Sequence, residues 1–248
     1  SYHDAEVISQ VFVDFYPIYK TGLTWDVNHY LKERGGESKL IELFTVDDGC
    51  PFLSFDPSTE IIIDFNKVNN DIVRFQNDEI KFSQFHACTV RGALYIDSRK
   101  IRSILQPIPS RCINDIRNLL KDLIQKKTTK YISIMKACGR KFNHDPTSLQ
   151  FFVDYCEFID KAEMLVPYLS EEIIAVDEMY DLFSLFKNQQ IEESPETLHA
   201  SFVSFKSDIK EAVEVKNLNS DKYLFLLQQE LRKYDSKLQK YYDIATSY

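Results

Sequence analysis

Apolar residues at helical spacing constrain this chain more than anything else in it. Between residues 145 and 187 they fall at Leu149, Phe152, Cys156, Ile159, Ala162, Val166, Leu169, Ile173, Val176, Tyr180 and Phe183. The steps alternate between three and four residues, with one doubled three-step at Cys156, Ile159 and Ala162. Such a run is a heptad seam with a local phase slip, and it predicts a helix packed along its whole length. About 40 residues at ~1.5 Å rise each give a rod on the order of 60 Å. Asp145 is the expected N-cap, with Pro146 at the first helical position. Pro167 is expected to kink the rod, because it removes one backbone hydrogen bond.

Two other long patterns flank this one. Ile113, Ile116, Leu120, Leu123, Tyr131, Ile134 and Cys138 predict a helix after the Pro107-Ile108-Pro109 break, capped at Ser110 and ending at Gly139. Thr128-Thr129 is a pair of poor helix formers inside it. Beyond Glu192-Glu193-Ser194-Pro195, one seam holds Leu198, Phe202, Phe205, Ile209 and Ala212. Another holds Leu224, Leu227, Leu231, Tyr234, Leu238, Tyr241 and Ala245 in unbroken three-four steps. Asn217-Leu218-Asn219-Ser220, between the two, reads as a loop or as a weakened turn of one continuous helix. Tyr242 lies off the seam and is the candidate partner contact.

Upstream the texture is mixed. Val7, Ile8, Val11, Phe12, Phe15 and Tyr19 make a helical stripe ended near Pro17 or Gly22. Trp25 to Phe44 reads as one helix or two, interrupted at Gly35-Gly36, with Leu40, Ile41, Leu43 and Phe44 as its apolar end. Asp48-Gly49-Cys50-Pro51 is a turn signal. Phe52-Leu53-Ser54-Phe55 and Ile61-Ile62-Ile63-Asp64-Phe65 read as two strands of a hairpin. Over residues 66–90, Val68, Ile72 and Phe75 allow a short helix, and Ile80 and Phe82 a strand. Gly92-Ala93-Leu94-Tyr95-Ile96-Asp97 reads as a strand, with Asp97 or Ser98 capping a short helix over Ile101, Ile104 and Leu105. The expected fold is therefore mainly α, a long-helix bundle with a small strand-containing insert around 47–97. The expected division is a mixed part over 1–109 and a long antiparallel helical bundle over 110–248.

Charge supports the antiparallel arrangement. Residues 99–141 hold 12 Lys and Arg against two Asp and Glu, whereas residues 142–195 hold two against 12. Adjacent helices of opposite sign attract along their flanks. Each exposed pair contributes under ~1 kcal/mol, so the pattern sets register more than stability. It also gives the basic stretch (Arg111, Arg117, Lys121, Lys126, Lys127, Lys130, Lys136) an internal partner, against a reading as a nucleic-acid surface. No run approaches the roughly 18 apolar residues of a membrane span. The chain opens without Met or a signal-like stretch, and is read as a piece of a longer polypeptide.

Candidate chemistry is sparse. Six glycines are too few, and wrongly spaced, for a phosphate-cradling loop. Five widely spaced cysteines, none in a Cys-x-x-Cys, read as buried free thiols. His86 and Cys88 supply two metal ligands where zinc needs more. Cys156 with His144 would make a thiolate–imidazole pair, but Cys156 sits on an apolar seam. Glu171-Glu172 and Asp177-Glu178 read as exposed surface. No catalytic, cofactor-binding or metal residue is therefore assigned.

The order of elements around the acidic helix resembles the tail of axonemal dynein heavy chains, just ahead of the linker. The residues that carry the likeness are Leu149, Tyr155, Phe158, Ile159, Pro167, Tyr180 and Leu182, followed by Leu224, Leu227, Leu231, Tyr234, Leu238 and Tyr241. It covers residues 110–248, and more loosely 48–109 through Phe55-Asp56-Pro57 and Leu94-Tyr95-Ile96-Asp97. The resemblance implies a non-catalytic structural segment, a stiff lever between the assembly region and the motor head of an ATP-driven microtubule motor of cilia and flagella. It implies other dynein subunits as partners: intermediate or light chains, or a neighbouring heavy chain. ATP and Mg would belong to a motor ring elsewhere, and microtubules would be met only through it. The implied location is the axonemal cytoskeleton. Two other readings stay open: a stand-alone helical scaffold or adaptor, and an enzyme with a site in the 47–97 region near His86, Cys88 and Asp97.

Overall fold

Helix caps and prolines set the element order. A computed structural model describes residues 6, 9–10, 13–34, 39–46, 53–60, 63–91, 94–143, 146–186 and 195–246. Its helices include α1 (Tyr16–Thr24), α2 (Val27–Arg34), α3 (Phe65–Gln84), α4 (Arg99–Leu105), α5 (Pro107–Phe142), α6 (Leu149–Ser184) and α7 (Pro195–Thr246). The strands β1 (Lys39–Val46) and β2 (Leu53–Glu60) form one two-stranded sheet; β3 (Cys88–Arg91) and β4 (Leu94–Asp97) form another. The protein is mainly α, with small strand pairs inserted between helices. Contacts group it into two compact units: Ser1–Ile41 with Ser58–Lys126 and Asp177–Glu192, and Glu42–Pro57 with Lys127–Val176 and Glu193–Tyr248. Two of the boundaries fall inside α5 and α6, and two inside β1 and β2.

In the first unit, the helical residues 13–14 give way to a turn at Phe15, near Pro17, and Pro17 then lies in the first turn of α1, which its fixed φ suits. The helix passes through Gly22, where a Cβ would stand 2.3 Å from Ile108 Cδ1 of α5. Glycine is what permits that approach. Phe15 stacks on Phe82 at 4.7 Å and meets Phe85 edge-on. The Trp25 ring packs edge-on against Phe75, and its Nε1–H donates to Asp115 at 2.9 Å.

Residues 66–90, the stretch of sequence hardest to read, contain most of α3. The Asp64 side chain accepts from the Lys67 backbone N–H and starts that helix at Phe65, which removes Phe65 from the expected hairpin. The buried row is Val68, Asp71, Ile72, Phe75, Asp78 and Phe82, while Ile80 is exposed. Two carboxylates in the row hide its helical period from an apolar count. Asp71 is tolerated there because Arg34 Nε donates to it at 2.6 Å, with Arg74 at 3.5 Å. Leu40, Ile41, Leu43 and Phe44 lie in a strand, not at a helix end. Four apolar residues in five fit either period, and pairing with β2 decides between them. The short helix after β4 forms as expected: Ser98 is the N-cap of α4, and Asp97 accepts from the Arg99 N–H.

The second unit contains the antiparallel pairing of α5 with α6. Tyr131 meets Glu172, while farther along α5 Phe142 packs on Phe158 and accepts a hydrogen bond from the Tyr155 hydroxyl. Burial carries α5 through Thr128, Tyr131, Met135, Cys138 and Phe142, so the helix runs on past both Thr128 and Gly139. At its other end, Ser110 does not cap α5, which begins at Pro107; the Ser110 hydroxyl donates to Glu79 of α3. Pro146 is not helical: α6 begins at Leu149, with Ser148 accepting from the Phe151 N–H. Pro167 stays inside α6 on its exposed side, where the missing hydrogen bond opens no core.

Several expectations lie outside the described residues. They concern the side chains of Val7, Ile8, Val11, Phe12, Gly35, Gly36 and Cys50, the turn at 48–51, Phe52, Ile61, Ile62, Gly92, Ala93, His144, Asp145 and Tyr248.

Candidate interaction surface

The last helix carries two apolar rows with opposite fates. Pro195 opens α7 and Glu196 stands in its first turn, where a negative charge suits the helix dipole. Leu198, Phe202, Phe205, Ile209 and Ala212 are buried in four-three steps, as the sequence requires. Phe205 faces Phe142, with ring centroids 6.2 Å apart. The row then passes through Lys216, whose ammonium meets Asp160 of α6 at 2.6 Å. It ends at Tyr223, which stacks on Phe152 at 4.2 Å and donates its hydroxyl to the Pro146 carbonyl. Asn217-Leu218-Asn219-Ser220 is neither loop nor break. Asn219 donates to the Val215 carbonyl within one continuous helix.

Beyond Tyr223 the helix changes character. Leu224, Leu227, Leu231, Tyr234, Leu238 and Tyr241, expected as a packed seam, are 41–70% exposed. Tyr242, the candidate contact, is exposed as well, as are Phe225, Leu226 and Ile244. Every described residue of α7 beyond Tyr223 is exposed, including Leu226, Glu230, Lys233 and Lys237, which continue the phase of the buried row, so no described element covers this length of helix. The apolar stripe also changes phase. The buried row reaches Tyr223 and the exposed row begins at Leu224, so the stripe steps by one residue, about 100° around the helix. The exposed row therefore points to a different side from the row that grips α5 and α6. Scattered exposed leucines are ordinary, but a contiguous heptad stripe of about 25 Å is not. Polar residues rim it: Gln228, Glu230, Asp235 and Lys237 are all exposed.

The seam expected on α6 is buried at Phe152, Ile159, Ala162, Leu169, Ile173, Val176 and Phe183, and half-buried at Leu149, Cys156, Val166 and Tyr180. A second buried row, Tyr155, Phe158, Leu165, Met179 and Leu182, widens it. The phase slip at Ala162 was the sequence signal for that wider arc. Glu171 is exposed as expected, but Glu172 is not. Lys127 reaches it at 2.8 Å and Tyr131 donates its hydroxyl to it. Burial alone would raise the Glu172 carboxyl, but those two donors outweigh it and hold it below the usual glutamate range.

Among the described residues, the chemically suggestive ones do not come together in a cleft. Cys88 and Asp97 are cross-strand partners on an exposed hairpin, with His86 exposed beside them. Tyr95 donates its hydroxyl to Cys88 Sγ at 3.1 Å. Arg99 chelates Asp97 and lowers its carboxyl to about 2. Among the described residues, no group of three or more His, Cys, Asp or Glu stands close enough to hold a metal ion. Burial pushes the thiols of Cys112 and Cys138 up to about 12 and 11, so both are poor nucleophiles at neutral pH; Cys156 is raised by burial too. An apolar groove of about 270 Å³ lies in the first unit between α1 and α4, lined by Phe15, Tyr16, Tyr19, Ile101, Ile104 and Leu105. No helix among the described residues is long and apolar enough to cross a membrane.

These features define a mainly α helical protein whose last helix presents a heptad face to solvent. No protein-family model matches the chain, and no curated protein matches it.

Proposed function

We propose that the chain is a non-catalytic structural segment that works by packing against other helices. In the more specific form, it is part of the tail of a dynein heavy chain, a stiff lever between the assembly region and the motor head. The observation that carries the general reading is the exposed row from Leu224 to Tyr241. Those side chains hold a helical surface of interface composition, with Leu and Tyr in the stripe and charge on its rim. The rows on α5, α6 and the first half of α7 give the same segment long lengths of buried helix, the physical basis for bearing load without chemistry.

The dynein form rests on the order of elements described above and brings its own partners: intermediate chains, light chains or a neighbouring heavy chain. It also places the chain in the axoneme of a cilium or flagellum, with ATP hydrolysis in a separate ring. Binding of the 248-residue chain to purified dynein subunits tests it. Capture that is lost in Leu231→Glu/Leu238→Glu supports the reading, and no capture by any subunit removes the specific form. The free-standing scaffold is favoured instead if the encoding reading frame ends near these 248 residues, because a heavy-chain tail continues into a far longer polypeptide.

A further inference from the structure

We propose that the exposed seam of α7 pairs with the same seam of a second copy of this chain, antiparallel, as a two-stranded coiled coil. The inference rests on reading that face as a protein-contact surface, and it names the occupant. In heptad terms Leu224, Leu231 and Leu238 take one core position, and Leu227, Tyr234 and Tyr241 the other. Gln228, Asp235 and Tyr242 flank the core on one side, and Glu230 and Lys237 on the other. All of them are exposed on a helix that is continuous to Thr246.

The flanking charges select one arrangement. In a parallel, in-register pair, Glu230 faces Asp235 of the second copy, twice, and each core tyrosine meets itself. An antiparallel pair centred between residues 232 and 233 differs in both respects. Glu230 then faces Lys237 of the second copy, twice. The core layers become Leu224 with Tyr241, Leu227 with Leu238, and Leu231 with Tyr234, so every tyrosine meets a leucine. Tyr242 comes beside Asp221 of the second copy, within reach of a hydroxyl–carboxylate hydrogen bond. Sliding one heptad in one direction puts Lys237 against Lys237 and Asp235 against Asp235. Sliding the other way puts Glu230 against Glu230 and Asp221 against Asp235. Of these four arrangements, one is free of like-charge contacts. It is also two-fold symmetric and therefore closed, so it stops at a dimer. The seam is open upstream as well: the core positions one turn and two turns before Leu224, Ser220 and Asn217, are exposed.

Sedimentation equilibrium of the full chain over a wide concentration range tests this. The expected mass rises from 29.1 kDa toward twice that value. Glu230→Lys is expected to weaken the dimer about tenfold, by replacing two attractive pairs with two repulsive ones. Glu230→Lys/Lys237→Glu is expected to restore it. Both residues are exposed, so unchanged circular dichroism is expected in each variant. A monomer at every concentration overturns the proposal and gives the seam to a different chain. A dimer tightened by Glu230→Lys overturns the antiparallel register, because only the parallel pairing relieves Glu230 against Asp235. The contact-surface reading would fall separately, if Leu231→Glu/Leu238→Glu left capture by other subunits unchanged.

Discussion

The two halves of α7 are written in the same grammar and live in different surroundings. Residues 198–212 and residues 224–241 both place apolar side chains every three or four positions. The first set is sealed against α5 and α6, whereas the second stands in water. A heptad stripe therefore reports that a face is built for packing, not that the packing partner lies in the same chain. What separates the halves is cover: beyond Tyr223 every described residue of α7 is exposed, on the side that continues the buried row as well as on the new stripe, which begins one residue out of phase at Leu224.

Substitutions sharpen the contrast, most strongly inside the sealed half. Phe205→Ala is expected to cost about 3–5 kcal/mol in urea unfolding, since its ring is 1% exposed and a cavity remains where it was. Glu172→Gln probes polar burial in the same unit. It removes the carboxylate that Lys127 and Tyr131 meet and is expected to cost about 2–3 kcal/mol, below a sealed pair because both charged side chains keep some exposure. The pH dependence follows from the lowered Glu172 carboxyl. The unfolded chain binds that proton more readily, near pH ~4.3. The stabilisation is therefore complete above that value and is lost as pH falls through the lower folded value. In Glu172→Gln the acid loss of stability should be shallower. At the boundary, Tyr223→Phe keeps the stack on Phe152 and removes the donor to the Pro146 carbonyl, for about 1 kcal/mol. Leu231→Ala, on the open half, should change monomer stability by no more than ~0.5 kcal/mol. A loss there near that of Phe205→Ala would erase the distinction between the halves.

The same contrast explains what could be read in advance. The long helices, the seam of α6 and the early row of α7 were legible because strong apolar periodicity runs unbroken for many turns. The helix over Phe65–Gln84 was not, because Asp71 and Asp78 occupy core positions and Arg34, 37 residues upstream of Asp71, makes one of them tolerable. The strand at Lys39–Val46 was read as helix because Leu40 to Phe44 is too short to show a period. Caps misled at Pro146 and Gly139, where proline and glycine matched terminal positions but the buried rows set the ends elsewhere. For the candidate surface, the residues were all named by the sequence. Their exposure was not, since where neighbouring elements stop covering a helix is a tertiary quantity.

Amide hydrogen exchange along α7, measured at low and at high protein concentration, tests the central distinction most directly. In dilute solution the amides of 198–223 should be protected and those of 224–246 should exchange rapidly, with the second group gaining protection as concentration rises. Equal protection of the two halves in dilute solution would contradict the division of α7 into a sealed face and an open one.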